Sequence, residues 1–207
     1  MDVEGKALGQ QDRRHYYHFV PSRLLAAARL RLAVIVVTSS ESSMRLLVNF
    51  DNNPEEPHWI ALNDGVMGGR SSGGPTISEG KLEFTGLLSF ANNSGFSSVR
   101  SVGRDFDLSD VSAVVIRVRG DGRRYQLRLA TDARYREMPV SYGAGFDTAV
   151  GEWTEVRVPL DSLEPTVRGS RLQGPPLDRS HVLDIGLLIA DKREGAFALT
   201  VDWIGVE

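Results

Sequence analysis

The sequence predicts an all-β sandwich over residues 44–207, and three observations carry that expectation. Short β-rich runs recur between turn signals, the pattern of sandwiches and barrels. Glycine is frequent, 21 of 207 residues, without any low-complexity repeat, which points to many tight turns. No stretch of 44–207 sustains helical periodicity over three turns.

The elements follow in order. Met44 opens a first strand, Leu46–Phe50, stopped by Asp51-Asn52-Asn53-Pro54. Lys81–Phe84 follows Glu79-Gly80, and Phe96–Val102 follows the polar turn Asn92-Asn93-Ser94-Gly95. Val111–Arg119 and Arg123–Thr131 flank Gly120-Asp121-Gly122, which predicts a hairpin. Trp153–Leu160, Leu183–Ala190 and Ala196–Val206 complete the set. Pro159 suits an edge or a strand end, because proline cannot donate to a ladder. Ile185–Ala190 is apolar on both faces and reads as a central strand. The Pro/Gly-rich stretch Asp161–Arg179 is too long for a plain hairpin loop and reads as a functional or mobile loop.

Strand alternation assigns faces. Val114, Ile116 and Val118 share one face; Tyr125, Leu127 and Leu129 share another; Thr154, Val156 and Val158 form a third apolar row. If these strands are neighbours, the opposite face gathers Arg117, Arg119, Gln126, Arg128, Trp153, Glu155 and Arg157. That face reads either as a solvated surface with cross-strand charge pairs or as a concave ligand groove with Trp153 as its platform.

Composition excludes several classes. With no cysteine there are no disulfides, thiolate metal sites or cysteine nucleophiles. A net charge of −3 offers no global attraction to nucleic acid. Residues 1–43 differ from the rest: six basic residues against four acidic ones give +2, leaving −5 for 44–207. The uninterrupted apolar part there, Leu32–Val37, is too short to span a bilayer. A secretory signal and a mitochondrial transit peptide each fit this segment in part. The preferred reading is a disordered or partly helical extension, or an over-long start, ahead of the domain at 44–207.

The chemical motifs are weak. Gly69-Arg70-Ser71-Ser72-Gly73 matches a nucleophile elbow, but Gly73-Gly74-Pro75 forbids the helix that must follow. His181 is the one downstream histidine, without a convincing partner. The segment Asn63–Ser72 lacks the Gly-Lys-Ser/Thr ending of a phosphate loop, and reads best as a glycine-dense turn braced by Asn63 and Asp64. The four histidines and the carboxylates form no metal set by spacing, so no metal and no cofactor is expected. Asn92-Asn93-Ser94 is a glycosylation sequon that matters only on secretion.

Taken in order, these residues resemble a known family. Trp59-Ile60-Ala61-Leu62-Asn63-Asp64-Gly65-Val66-Met67-Gly68-Gly69-Arg70-Ser71 resembles the opening signature of the complex I intermediate-associated protein 30 family: a Trp, a short spacer, then Asn-Asp-x-Val-Met-Gly-Gly-x-Ser. Gly95-Phe96-Ser97-Ser98-Val99-Arg100, Trp153–Leu160, Pro165-Thr166-Val167-Arg168-Gly169, Ile185–Lys192 and Gly195–Leu199 resemble later family segments in the same order, over roughly 46–206. In the fourth of these, Val167 stands where an aromatic is common. The resemblance implies a galactose-binding-like jelly roll, akin to carbohydrate-binding modules, and a non-enzymatic role. Mitochondrial members of that family are chaperone-like factors that assemble the membrane arm of respiratory NADH:ubiquinone oxidoreductase. The chain resembles more the small stand-alone bacterial type, which implies the cytoplasm, with the mitochondrion as the alternative.

Three classes of function compete. In the first, a protein-binding, chaperone-like assembly module holds a partner protein, such as a subunit of a membrane respiratory complex. Asn63, Asp64, Met67, Arg100 and Arg168 form its surface or brace its loops. For the two arginines an internal salt bridge is an equal expectation. In the second, a carbohydrate-binding module uses the concave sheet face, with Trp153 as platform and Tyr135 and Tyr142 as neighbours. An enzyme is the third class, and no residue is nominated as catalytic for it.

Overall fold

The computed structural model describes residues 44–51, 55–93 and 95–207, except for the side chains of Val66, Met67 and Asn93. The expected extension over 1–43, the Met67 side chain and most of the Asn92-Asn93-Ser94 sequon lie outside the described residues.

Two antiparallel sheets face each other. One contains β1 (Arg45–Val48), β3 (Ser72–Ser78), β4 (Lys81–Leu88), β6 (Ala113–Arg119), β9 (Trp153–Pro159) and β13 (Gly195–Val206). Its order is β3-β4-β13-β6-β9, with β1 also paired to β13. The other contains β2 (His58–Asn63), β5 (Ser97–Val102), β7 (Arg124–Tyr135), β8 (Met138–Asp147), β10 (Glu164–Val167), β11 (Ser170–Arg171) and β12 (Asp184–Ile189). Its order is β11-β10-β8-β7-β12-β5-β2. The all-β sandwich expected from the sequence is the fold. Pro159 ends β9, which is an edge strand, and β12 lies inside its sheet, both as expected.

The inward faces match the alternation. Val114, Ile116 and Val118 of β6 meet Tyr125, Leu127 and Leu129 of β7 across the core, all without exposed surface. Leu82, Phe84 and Leu199 pack with them, and the Phe84 ring stands edge-on to both Tyr125 and Phe197. Each such side chain contributes roughly 1.5–3 kcal/mol by leaving water.

Two expectations need correction. Val111–Arg119 and Arg123–Thr131 are not a hairpin: β6 pairs with β9 and β13, whereas β7 pairs with β8 and β12. Gly120-Asp121-Gly122 is an arch that carries the chain from one sheet to the other. The Asp121 carboxylate fixes it, accepting from the Arg123 N–H (3.1 Å), the Tyr125 hydroxyl (3.0 Å) and the Ala198 N–H (2.8 Å). The dipeptide signal reports a sharp bend and not what the flanking strands pair with.

The stretch Asp161–Arg179 is not a plain loop, since β10 and β11 extend the seven-stranded sheet from it. Its tight turn, Arg168-Gly169, has both residues at positive φ (48° and 78°), as a two-residue hairpin turn requires. The glycine-dense turn expected over Asn63–Ser72 is present as a 3-10 turn at Asp64–Met67 with Gly68 left-handed, and the glycines that follow belong to β3, whose Gly73 lies opposite Gly86. A Cβ on Gly73 would sit 2.7 Å from the Phe197 ring, so glycine here makes room for core packing. The strands β2, β8, β10 and β11 are also absent from the sequence reading: proline or glycine interrupts β8 and β10, β11 is only two residues long, and β2 overlaps the family signature.

Candidate functional site

The outward face of the seven-stranded sheet forms a groove of about 1230 Å³. Register decides what lines it. Across the middle, Ile60, Arg100, Gly186, Arg128, Gly143 and Glu164 stand directly opposite one another on successive strands. A parallel row holds Leu62, Ser98, Leu188, Gln126 and Gly145. The β2/β5 end therefore mixes Leu62 and Phe96 with Ser98 and Arg100, and exposed Ile60 on β2 stands beside Arg100, while the β7–β11 end carries Arg124, Arg128, Arg168 and Arg171.

Arg128 is the best-held group of this face. Its Nε donates to Ser141 Oγ (3.1 Å), one Nη to Gln126 Oε1 (3.3 Å) and the other to Thr166 Oγ1 (2.6 Å). Both hydroxyls spend their own protons on main-chain carbonyls: Ser141 Oγ donates to Leu129 O, and Thr166 Oγ1 to Ser141 O. Their oxygens are thus left as acceptors for the guanidinium. Gly143 makes this posture feasible, because a Cβ there would lie 2.5 Å from Arg128 Nη1. Burial pushes the Arg128 guanidinium below its ordinary pKa, against the pull of Asp184. Burial likewise raises the carboxyl of Asp184, opposed by Arg100 and Arg128.

The candidates from the sequence fall into three places. Arg100 lines the groove and forms an ion pair with Asp184 at 3.7 Å, the internal salt bridge that was one of its two expected roles. Arg168 lines the groove from the β10–β11 turn. Asn63 and Asp64 form a knot at the end of β2. Asp64 has no exposed surface; it accepts from the N–H groups of Ser71 (2.9 Å), Gly95 (2.9 Å) and Phe96 (3.2 Å). Asn63 Nδ2 donates to Gly73 O (2.9 Å), and its Oδ1 accepts from Ser97 Oγ (2.6 Å). Burial pushes the Asp64 carboxyl up, but the hydrogen bonds from Ser71, Phe96 and Gly95 outweigh it and hold the carboxyl below the ordinary value. For these two residues the geometry is that of loop bracing.

Trp153 is elsewhere. It lies on the outer face of the six-stranded sheet, opposite Arg119, with the guanidiniums of Arg117 and Arg119 at 5.6 and 5.1 Å from its ring. The polar face expected from alternation is therefore split. Gln126 and Arg128 are in the groove; Arg117, Arg119, Trp153, Glu155 and Arg157 are on the opposite side of the sandwich. Tyr142 is buried, its hydroxyl donating toward Pro175 O and Pro176 O, and Tyr135 sits near the tip of the β7–β8 hairpin. None of the three aromatics expected in the groove lines it, and among the described residues Phe96 is the one aromatic that does. Sequence reasoning missed Ser141 and Gly143, which lie on a strand it leaves unassigned, and Thr166, which lies in the stretch it reads as a loop.

Ser71 is also structural: its hydroxyl donates to Ser89 O (3.2 Å) and accepts from Ser89 N–H (3.1 Å). His181 pairs with Asp105 at 3.6 Å on the surface. Among the described residues, no three His, Cys, Asp or Glu side chains converge as a metal site, and no helix is long and apolar enough to cross a membrane.

Residues 48–201 match the model of the Complex I intermediate-associated protein 30 family. The chain belongs to that family. Within it, the "Complex I intermediate-associated protein 30, mitochondrial" of Mus musculus is 27% identical over 183 residues. The match covers 78% of this chain and 56% of the mouse protein, so this chain spans about half the length of that relative. Among solved structures, the family 11 carbohydrate-binding module from Clostridium thermocellum, in complex with a β-1,3-1,4-mixed-linked tetrasaccharide, is similar at a TM-score of 0.57 and 14% identity. That similarity covers 79% of this chain and 94% of the module. The agarase AgWH50C is similar at a TM-score of 0.55 and 15% identity, over 79% of this chain and 24% of the agarase. These likenesses establish a shared jelly-roll fold between this family member and carbohydrate-binding modules.

Proposed function

We propose that the chain is a non-enzymatic, chaperone-like module for the assembly of respiratory complex I, and that it holds a partner subunit on the concave face of its seven-stranded sheet. The observation that carries this reading is the groove itself: among the described residues Phe96 is the one aromatic in its lining, aliphatic Leu62 and Leu188 lie toward the β2 end, and arginines line it from Arg100 to Arg171. Sugar rings are commonly held by stacking on aromatic side chains, and the half-buried Trp153 faces away from this groove. Membership of the family and the name of the mouse relative support the link to complex I. The mitochondrial name of that relative favours the mitochondrion over the cytoplasm as the compartment. Arg100 and Arg168, at opposite ends of the groove, are the candidates for partner contact. Asn63 and Asp64 support it by fixing the loop that carries Phe96.

Purification of the tagged protein from its native cells under mild detergent, followed by mass spectrometry, tests this reading. Membrane-arm subunits of complex I are expected with the wild-type chain and are expected to be depleted with an Arg100→Ala/Arg168→Ala variant. Recovery of none of those subunits, together with binding of neutral β-glucan oligosaccharides, would replace this reading with the carbohydrate-binding one.

A further inference from the structure

We propose that Arg128 is the anchor of a carboxylate-binding subsite on the floor of the groove, and that the occupant is an extended polypeptide carrying an acidic side chain beside apolar ones. This rests on the protein-binding reading above and adds the chemistry of the bound segment. The three acceptors of the Arg128 guanidinium are all neutral oxygens. A guanidinium has five N–H donors, so two remain unengaged. The carboxylate that acts on it, Asp184, is ion-paired to Arg100 instead. A half-buried cation held rigidly by neutral dipoles keeps its full charge and is pre-organised for an anion.

The surroundings agree in sign. Five arginines line the groove against two acidic residues, Glu164 and Asp184, on a chain whose net charge is −3. Arg168 forms no ion pair among the described residues and stands beyond Arg128 in the direction of β10. Exposed Leu62, with Leu188, offers aliphatic contact toward β2, and exposed Ile60 on the same strand extends it past the groove, which suits aliphatic side chains better than sugar rings. Adjacent strands are about 4.8 Å apart, so the seven strands span about 29 Å, the reach of roughly nine to ten extended residues.

The probe is an acetylated, amidated peptide of about ten residues alternating glutamate and valine, matched to that span. It is titrated into the full chain by calorimetry and by following the arginine Nε–H resonances in NMR. Binding is expected to move the Arg128 Nε–H signal. Affinity is expected to fall about tenfold or more with Arg128→Gln, with Gly143→Ala, and with the glutamine–valine peptide. Arg117→Gln, on the far face, is expected to leave affinity unchanged. Arg128→Lys keeps the charge and loses the fork. It serves if Arg128→Gln does not fold, and is expected to weaken binding severalfold. Equal binding of the glutamate and glutamine peptides, or unchanged affinity in the Arg128 variants, overturns the proposal. So does Arg128-dependent binding of tri-galacturonate without binding of the peptide. If the peptide binds through Arg128 but no complex I subunit co-purifies with the wild-type chain, the assembly role fails and the subsite stands. If subunits co-purify equally with wild type and Arg128→Gln, the assembly role stands and the subsite fails.

Discussion

Replacing Asp191 by alanine is expected to destabilise the fold by about 3 kcal/mol, at the low end of the ~3–5 kcal/mol range for breaking a buried pair. Arg123 and Asp191 are each only 5% exposed and meet in a two-pronged ion pair, 2.6 and 3.0 Å. The same guanidinium donates to the carbonyls of Gly195 (3.1 Å), Ala196 (2.8 Å) and Arg193. Arg123 follows the β6–β7 arch, and Asp191 stands in the β12–β13 connection. Both segments carry the chain between the sheets, so one buried arginine ties two crossings at one end of the sandwich. Alanine strands the Arg123 charge, but the three carbonyls remain, which places the expected cost at the low end. With a urea slope of about 2 kcal/mol/M for a domain of this size, the unfolding midpoint should fall by about 1.5 M. Equilibrium urea unfolding followed by tryptophan fluorescence and circular dichroism measures it. A double variant, Arg123→Met/Asp191→Leu, is expected to recover part of the loss, because neither charge is then left unpaired. A midpoint shift below about 0.5 M at unchanged slope for Asp191→Ala would refute the idea that this pair stitches the arches.

Other outcomes follow from the same reasoning. Asp64→Asn removes the charge that holds three main-chain N–H groups, and is expected to cost about 3 kcal/mol in urea unfolding. Because the Asp64 and Asp191 carboxyls are held below the ordinary value, their stabilisation is present above about pH 4 and is lost as pH falls through the folded values. Acid unfolding should therefore begin below about pH 4 in the wild type and be shallower in Asp64→Asn. Burial, foremost, raises the Tyr125 hydroxyl, so stability should fall as pH climbs above about 10, where the unfolded phenol ionises and the folded one does not. Absorbance of tyrosinate against circular dichroism on alkaline titration reads this directly, and Tyr125→Phe should flatten the fall. Trp153→Ala removes the ring between Arg117 and Arg119 on the outer sheet, and is expected to leave groove binding unchanged in the peptide titration.

The amino-acid sequence by itself determined the fold class and the inward faces. Alternation is a local property, and in Val114/Ile116/Val118 and Tyr125/Leu127/Leu129 burial followed it without exception. The same alternation put Gln126 and Arg128 on the outward side of β7. The signature around Asn63 and Asp64 was legible as a family mark and as a braced turn, because such side chains bind nearby main-chain amides.

Only the tertiary structure decided which outward faces join. Pairing is a long-range choice: an Asp-Gly bend looks the same whether the next strand folds back on its predecessor or crosses to the opposite sheet. That choice sent Trp153, Arg117 and Arg119 to one side of the sandwich and Arg128 to the other. It also placed β8 and β10, whose glycine and proline content hides them from pattern reading, beside β7. There Gly143 supplies space and Ser141 and Thr166 supply oxygens, so the posture of Arg128 depends on residues 13 and 38 positions away in the chain.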